Sequence, residues 1–177
     1  MTDAAHGVAF DFFGTGNPIQ TSWTSAGWNG GWLALDRNGN GRIDSGQELF
    51  SNVTPQPGLR STYLGFKALA YYDNPHYGGN GDGWIDAQDS IYSKLRVWVD
   101  LNHNGVSEPS EMLTMSQAGI QAISVRYLPD NWADSFGNRF MSRAQVIWSN
   151  PNHGNGKGQG DGGGKSQWAY DVILLSR

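Results

Sequence analysis

Hydrophobic and polar residues follow one another in short bursts, separated by polar stretches rich in Gly, Asn and Asp. Residues 7–13 (GVAFDFF) read as a strand. Residues 14–31 read as loop with a short aromatic strand near Trp23, and residues 32–35 lead into a first acidic loop. A short helix is expected to start at 47–50 and to stop before Pro55 and Pro57. Residues 62–72 place Leu64, Phe66, Leu69 and Ala70 at helical spacing. A second acidic loop follows, then an expected helix over 87–94 and a strand over 95–99 (LRVWV), where β-branched residues alternate with others. A third acidic loop is expected to leave through a helix over 110–115. Residues 122–127 read as a strand, and 139–148 with 167–175 as a closing hairpin. The Gly-rich stretch 149–166 inside that hairpin has almost no apolar residue and is expected to be mobile. These patterns predict an α+β fold: one domain over residues 1–177, with short helices and antiparallel strands around the acidic loops.

Composition narrows the chemistry. Gly accounts for 25 of 177 residues, about twice its average usage. No Cys is present, which excludes disulfides and thiolate metal sites. No apolar run approaches the roughly 20 residues of a membrane-spanning helix. The net charge is −4, and the excess is local: residues 36–111 hold ten acids against six Lys and Arg, and the rest of the chain holds six of each. That imbalance favours a cation site over a nucleic-acid surface.

The acidic loops follow the calcium-loop template D-x-[DN]-x-[DN]-G-x5-E. Calcium takes six to eight oxygens, so oxygen-bearing side chains at positions 1, 3 and 5, a carbonyl at 7 and an acid at 12 surround it, with Gly at 6 allowing the sharp turn. The third loop, 100–111, fits best, with Asp100, Asn102 and Asn104 at 1, 3 and 5, Gly105 at the turn, the Val106 carbonyl at 7, and Glu111 at 12. Glu108 at position 9 is a direct or water-mediated donor. The first loop, 36–48, offers Asp36, Asn38, Asn40, the Arg42 carbonyl and Asp44, with Ile43 as the apolar residue that anchors the loop to its neighbour. Its position 12 is Gln47, and the acid, Glu48, comes one residue late, a displacement that Gly46 can absorb. The second loop, 73–89, offers Asn80, Asp82, the Trp84 carbonyl and Asp89. Its first position by strict count is Gly78, so Asp73 is expected to serve from beyond an insertion over 74–79. Asp11, in DFFGTG, begins a fourth partial match with Phe13 at a donor position, and reads as structural.

The run LALDRNGNGRIDSGQELF, then GGNGDGWIDAQD, then LRVWVDLNHNGVSEPSEM followed by GIQAISV, resembles a family of bacterial secreted EF-hand-like calcium-binding domains found in large extracellular proteins, including those related to RTX proteins. The resemblance spans residues 7–127, with a weaker echo in QWAYDVILL. It implies about three calcium ions as cofactors, an extracellular or cell-surface location, and the rest of a larger exported polypeptide as partner. Relatives include a self-processing module that uses calcium to cut an Asp-Pro bond at its own N-terminal edge and can join the new end to a lysine. This chain has Asn17-Pro18, Asn74-Pro75 and Asn150-Pro151 but no Asp-Pro. The strand that precedes GVAFDFF in those relatives is missing too, so the chain is expected to be a piece of something longer.

These residues leave three functions open. A non-enzymatic module that folds or stiffens on extracellular calcium follows most directly. An enzyme finds little support: there is no H-E-x-x-H and no G-x-S-x-G, and His6, His76, His103 and His153 are scattered over loops. A carbohydrate- or surface-binding module, with a cell-surface glycan as partner, is suggested by the eight Trp residues, and would require several of them exposed in a row.

Overall fold

The computed structural model describes residues 1–27, 30–55, 64–149 and 168–176. Among these residues, nine strands make three antiparallel sheets. β1 (Val8–Phe10) pairs with β2 (Ile19–Thr21). β3 (Trp32–Ala34), β5 (Arg96–Trp98) and β6 (Met112–Thr114) form a second sheet in the order β3-β5-β6. The largest sheet has the order β4-β7-β8-β9, built from β4 (Trp84–Ile85), β7 (Ile120–Ala133), β8 (Arg139–Trp148) and β9 (Trp168–Ile173).

The long strands follow from alternation. In β8, Phe140, Ser142, Ala144 and Val146 are buried, and the residues between them face outward or lie half-buried, the period of a sheet with one covered face. β7 is less regular, because its register against β8 shifts between Pro129 and Trp132. Pro129 has no N–H to give the ladder, and Asn131 there has φ 42, so the extra residue of a bulge is taken up beside the proline.

The α+β expectation is corrected by this architecture, which is β-rich. Among the described residues there is one α-helix, α1 (Gly65–Ala70), of six residues. No side chain caps its N-terminus, and a helix this short does not hold itself in water. Packing holds it instead: Leu69 is buried in the core, Phe66 stacks on Tyr127 with ring centroids 5.9 Å apart, and Gly65 N–H donates to Asp171 Oδ2 at 2.9 Å. Residues 62 and 63 of the expected helix lie outside the described residues, as do Trp28 and the Gly-rich residues 150–167. The helix expected to start at 47–50 is a 3-10 turn, Gly46–Glu48. That expected over 87–94 is a series of turns. The expected exit helix at 110–115 is a 3-10 turn, Pro109–Glu111, that passes straight into β6.

Two apolar clusters lie behind the acidic loops. One gathers Leu35, Leu69, Ile85, Leu95, Met115 and Ile123 between the two larger sheets. The other gathers Val8, Phe10, Trp23, Ile43, Leu49 and Trp98 beneath the first and third loops. Ile43, Ile85, Leu95 and Trp98 are essentially inaccessible, so all three loops rest on fixed apolar floors.

Candidate metal centre

Loop 100–111 closes the hairpin between β5 and β6. The Asp100 carboxylate accepts from Asn104 N–H (3.2 Å) through Oδ1, and from Gly105 N–H (2.9 Å) and Trp23 Nε1 (2.8 Å) through Oδ2. Asn102 Oδ1 accepts from Asn104 N–H at 3.1 Å, and Asn104 Oδ1 from Val106 N–H at 2.7 Å. Each of these amide oxygens is oriented by one bond and keeps a second lone pair. The turn requires Gly105, which has φ 71. Glu111 is buried and spans the loop: Oε1 accepts from Leu101 N–H at 2.8 Å, and Oε2 from Trp98 Nε1 at 3.3 Å and Glu108 N–H at 3.4 Å.

Loop 36–48 repeats this geometry. Asp36 accepts from Gly39 (2.7 Å), Asn40 (3.2 Å) and Gly41 (2.8 Å) N–H groups. Asn38 Oδ1 accepts from Asn40 N–H (2.9 Å), and Asn40 Oδ1 from Arg42 N–H (2.8 Å). The Asn40 amide donates to Asp44 Oδ2 at 2.6 Å. The loop is spanned by Glu48, not Gln47. Glu48 Oε1 accepts from Arg37 N–H (3.1 Å) and Oε2 from Asp44 N–H (2.9 Å), whereas the Gln47 amide donates to the Phe13 carbonyl.

Loop 73–89 arrives at the same scheme through its insertion. Asp73 accepts from Gly81 and Gly83 N–H groups, each at 3.0 Å, across the 3-10 turn Pro75–Tyr77. Asn80 Oδ1 accepts from Asp82 N–H (3.1 Å), and Asp82 Oδ1 from Trp84 N–H (2.8 Å). Asp89 spans from Asn80 N–H (3.2 Å) to Asp86 N–H (2.8 Å). Position 7 in each loop (Arg42, Trp84, Val106) directly follows the turn glycine.

Electrostatics favour a cation. Burial pushes the Glu48 carboxyl above the usual carboxylate range, and the Asp44 charge adds to the rise against the pull of the Asp44 and Arg37 N–H groups. Burial does the same to Asp89, with Asp73 and Asp86 adding to it. Both acids are penalised for being charged where they stand, a penalty that a cation among them relieves. Glu108 stands differently: its Oε1 accepts from the Asn104 (2.7 Å) and Asn102 (3.4 Å) amides, its side chain also caps Glu111 N–H, and its carboxyl is held below the usual carboxylate range, first by the Asn104 amide and then by its bond to Glu111. A carboxylate at the ninth position of the loop, beside the closing Glu111, completes a set of oxygen donors that suits a hard cation. Among the described residues, no three His, Cys, Asp or Glu side chains converge closely enough to hold an ion by themselves. An ion in these loops therefore needs the Asn oxygens and main-chain carbonyls as well as the acids.

Asp11 forms a similar turn, accepting from Thr15 (3.1 Å) and Gly16 (2.7 Å) N–H groups. Burial pushes its carboxyl up, but those N–H groups outweigh it and the net shift is downward. Phe13 is exposed and brings no oxygen. Sequence reasoning missed three supporting residues. Trp23 and Trp98 hold the acids of the third loop from beneath, and Ser107 bonds the first loop through Ile43 N–H (2.7 Å) and the Ile43 carbonyl (3.2 Å). The available signal was a serine at position 8, where the first two loops carry Ile43 and Ile85. Trp23 and Trp98 are fully buried, and of the described Trp residues Trp132 alone is substantially exposed, so the row of exposed Trp needed for stacking on sugars is not formed among them.

The sequence profile of the SPM domain matches residues 1–157. The chain is also 40% identical over 121 residues to a protein of Neisseria meningitidis serogroup C named iron-regulated protein FrpA. The matched segment covers 68% of this chain and spans 10% of that relative's length. Among the described residues, no helix is long and apolar enough to cross a membrane.

Proposed function

We propose that this chain, which belongs to the SPM domain family, is a calcium-binding module of a larger exported protein that folds or stiffens on meeting extracellular calcium. The observation that carries the reading is the repetition of one geometry at three places in the chain. An Asp is held by turn N–H groups, two side-chain oxygens are oriented two residues apart, and a buried acid spans the loop to its ninth position. The ligands proposed are Asp36, Asn38, Asn40, the Arg42 carbonyl, Asp44 and Glu48 in the first loop. In the second they are Asp73, Asn80, Asp82, the Trp84 carbonyl and Asp89, and in the third Asp100, Asn102, Asn104, the Val106 carbonyl and Glu111. The share of the FrpA relative that this chain spans supports the larger polypeptide. The resemblance to secreted RTX-related domains supports the extracellular location.

The experiment is thermal unfolding in excess calcium and in EDTA. Each site filled at 100 Kd adds about 2.7 kcal/mol to the native state. At about 2–4 °C per kcal/mol for a chain of this size, chelation lowers the midpoint by well over about ten degrees or leaves the chain partly unfolded. A melting curve unchanged by EDTA rejects the reading.

A second reading, calcium-dependent cleavage of an Asp-Pro bond, is favoured by the resemblance to the self-processing module. With no Asp-Pro in residues 1–177, it concerns a bond in the parent protein. Incubation of the full parent with calcium tests it: two fragments support it, and an intact parent rejects it.

A further inference from the structure

We propose that loops 36–48 and 100–111 bind as a coupled pair and that the Ser107 hydroxyl is the link between them, an inference that rests on the calcium reading above. Ile43 and Ser107 each occupy the eighth position of their loop. The Ser107 hydroxyl accepts from Ile43 N–H at 2.7 Å and donates to the Ile43 carbonyl at 3.2 Å, and both residues are buried. One hydroxyl thus satisfies both main-chain groups of Ile43 from the opposing loop, using its donor and one acceptor position.

The residues next to this link carry the closing acids. Asp44 follows Ile43, and its N–H is held by Glu48 Oε2 at 2.9 Å. Glu108 follows Ser107, and its N–H faces Glu111 Oε2 at 3.4 Å. The contacts therefore run from Glu48 through Asp44, Ile43, Ser107 and Glu108 to Glu111, with the same steps on each side. An ion that draws one closing acid inward moves the residue beside the link and biases the other loop toward the same arrangement. Loop 73–89 is placed differently. Its eighth-position residue, Ile85, pairs with Ile123 of β7 instead of with another loop. Tyr72, the residue before this loop, accepts from Arg37 Nη1 at 2.6 Å in a half-buried bond that leaves the first loop from its second position, away from Ile43.

The test reads each loop separately. Gly41, Gly83 and Gly105 N–H groups donate to the leading Asp of their loops at 2.8, 3.0 and 2.9 Å, so their NMR signals in the 15N-labelled chain report one loop each during a calcium titration. Gly41 and Gly105 are expected to titrate together, with Gly83 on its own curve. Glu48→Gln should raise the calcium midpoint at Gly105 by at least about fivefold, and Glu111→Gln should raise it at Gly41 by the same factor, because coupling is reciprocal. Asp89→Asn should move Gly105 less. In Ser107→Ala the two midpoints separate and Glu48→Gln no longer moves Gly105, while Ser107→Thr, which keeps the hydroxyl, retains the coupling. Should Ser107→Ala not fold, the reciprocal pair Glu48→Gln and Glu111→Gln still decides whether the loops are coupled. Independent titration of Gly41 and Gly105, or coupling that survives Ser107→Ala, overturns the proposal and leaves the calcium reading standing. Three amides that do not respond to calcium at all overturn both.

Discussion

Glu111→Gln separates what the closing acid of the third loop does for the fold from what it does for an ion. Glu111 is buried and uses both oxygens as acceptors, from Leu101 N–H at 2.8 Å and from the Trp98 indole at 3.3 Å. Glutamine has nearly the same shape but one acceptor oxygen and one NH2 group. Whichever way the amide turns, the NH2 group faces one of those two donors. A buried donor stranded in this way costs about 1–3 kcal/mol. Losing the ion removes about 2.7 kcal/mol more at a free calcium of 100 Kd. The two effects come to about 4–6 kcal/mol, which at about 2–4 °C per kcal/mol is a fall of roughly 8–24 °C in the midpoint. Circular-dichroism melts of both proteins in saturating calcium and in EDTA divide the total, since the stranded donor acts in both conditions and the ion only in the first. An equal fall in both conditions assigns Glu111 to structure alone and refutes its part in binding. No fall in calcium refutes the hydrogen-bond argument as well.

Other changes give equally definite expectations. Ile85→Ala empties a fully buried position behind the second loop and should cost about 2–5 kcal/mol, seen in denaturant unfolding together with the loss of the Gly83 response to calcium. Asp11→Ala removes the acceptor of two turn N–H groups and should destabilise by about 0.5–2 kcal/mol, by analogy with a lost helix cap. It leaves the calorimetric calcium stoichiometry as it was, and a fall in that count would make the fourth turn a site. Burial raises the Asp171 carboxyl against the pull of Gly65 N–H, so its contribution to stability is present below the unfolded pKa of about 3.9 and is lost as pH rises through the folded value. Asp171→Asn should therefore gain in melting midpoint relative to the parent sequence as pH is raised from about 3 to about 7, and a constant difference over that range contradicts the assignment.

The loops were legible because their geometry is local. In the first and third loops the leading Asp and the two Asn after it bond to N–H groups two to five residues away, and those partners are in the sequence itself. Even the late Glu48 and the distant Asp73 were legible, as acids with a flexible Gly46 or an insertion beside them. The elements around the loops were not legible in the same way. Residues 110–115 read as the exit helix of the third loop, but Met112–Thr114 pairs with Arg96–Trp98, and the β-ladder outweighs a weak local preference. Residues 87–94 contain Asp89, whose carboxylate bonds Asn80 and Asp86 N–H groups, and the turns that satisfy it replace the expected helix. The links Trp23 to Asp100 and Ser107 to Ile43 join residues 77 and 64 apart, and no local pattern announces them.

Calorimetric titration of calcium into the metal-stripped chain decides whether the three acidic loops on this β-rich frame take up calcium. Saturable uptake of three calcium ions per chain is the expected result. A titration with no saturable uptake contradicts it.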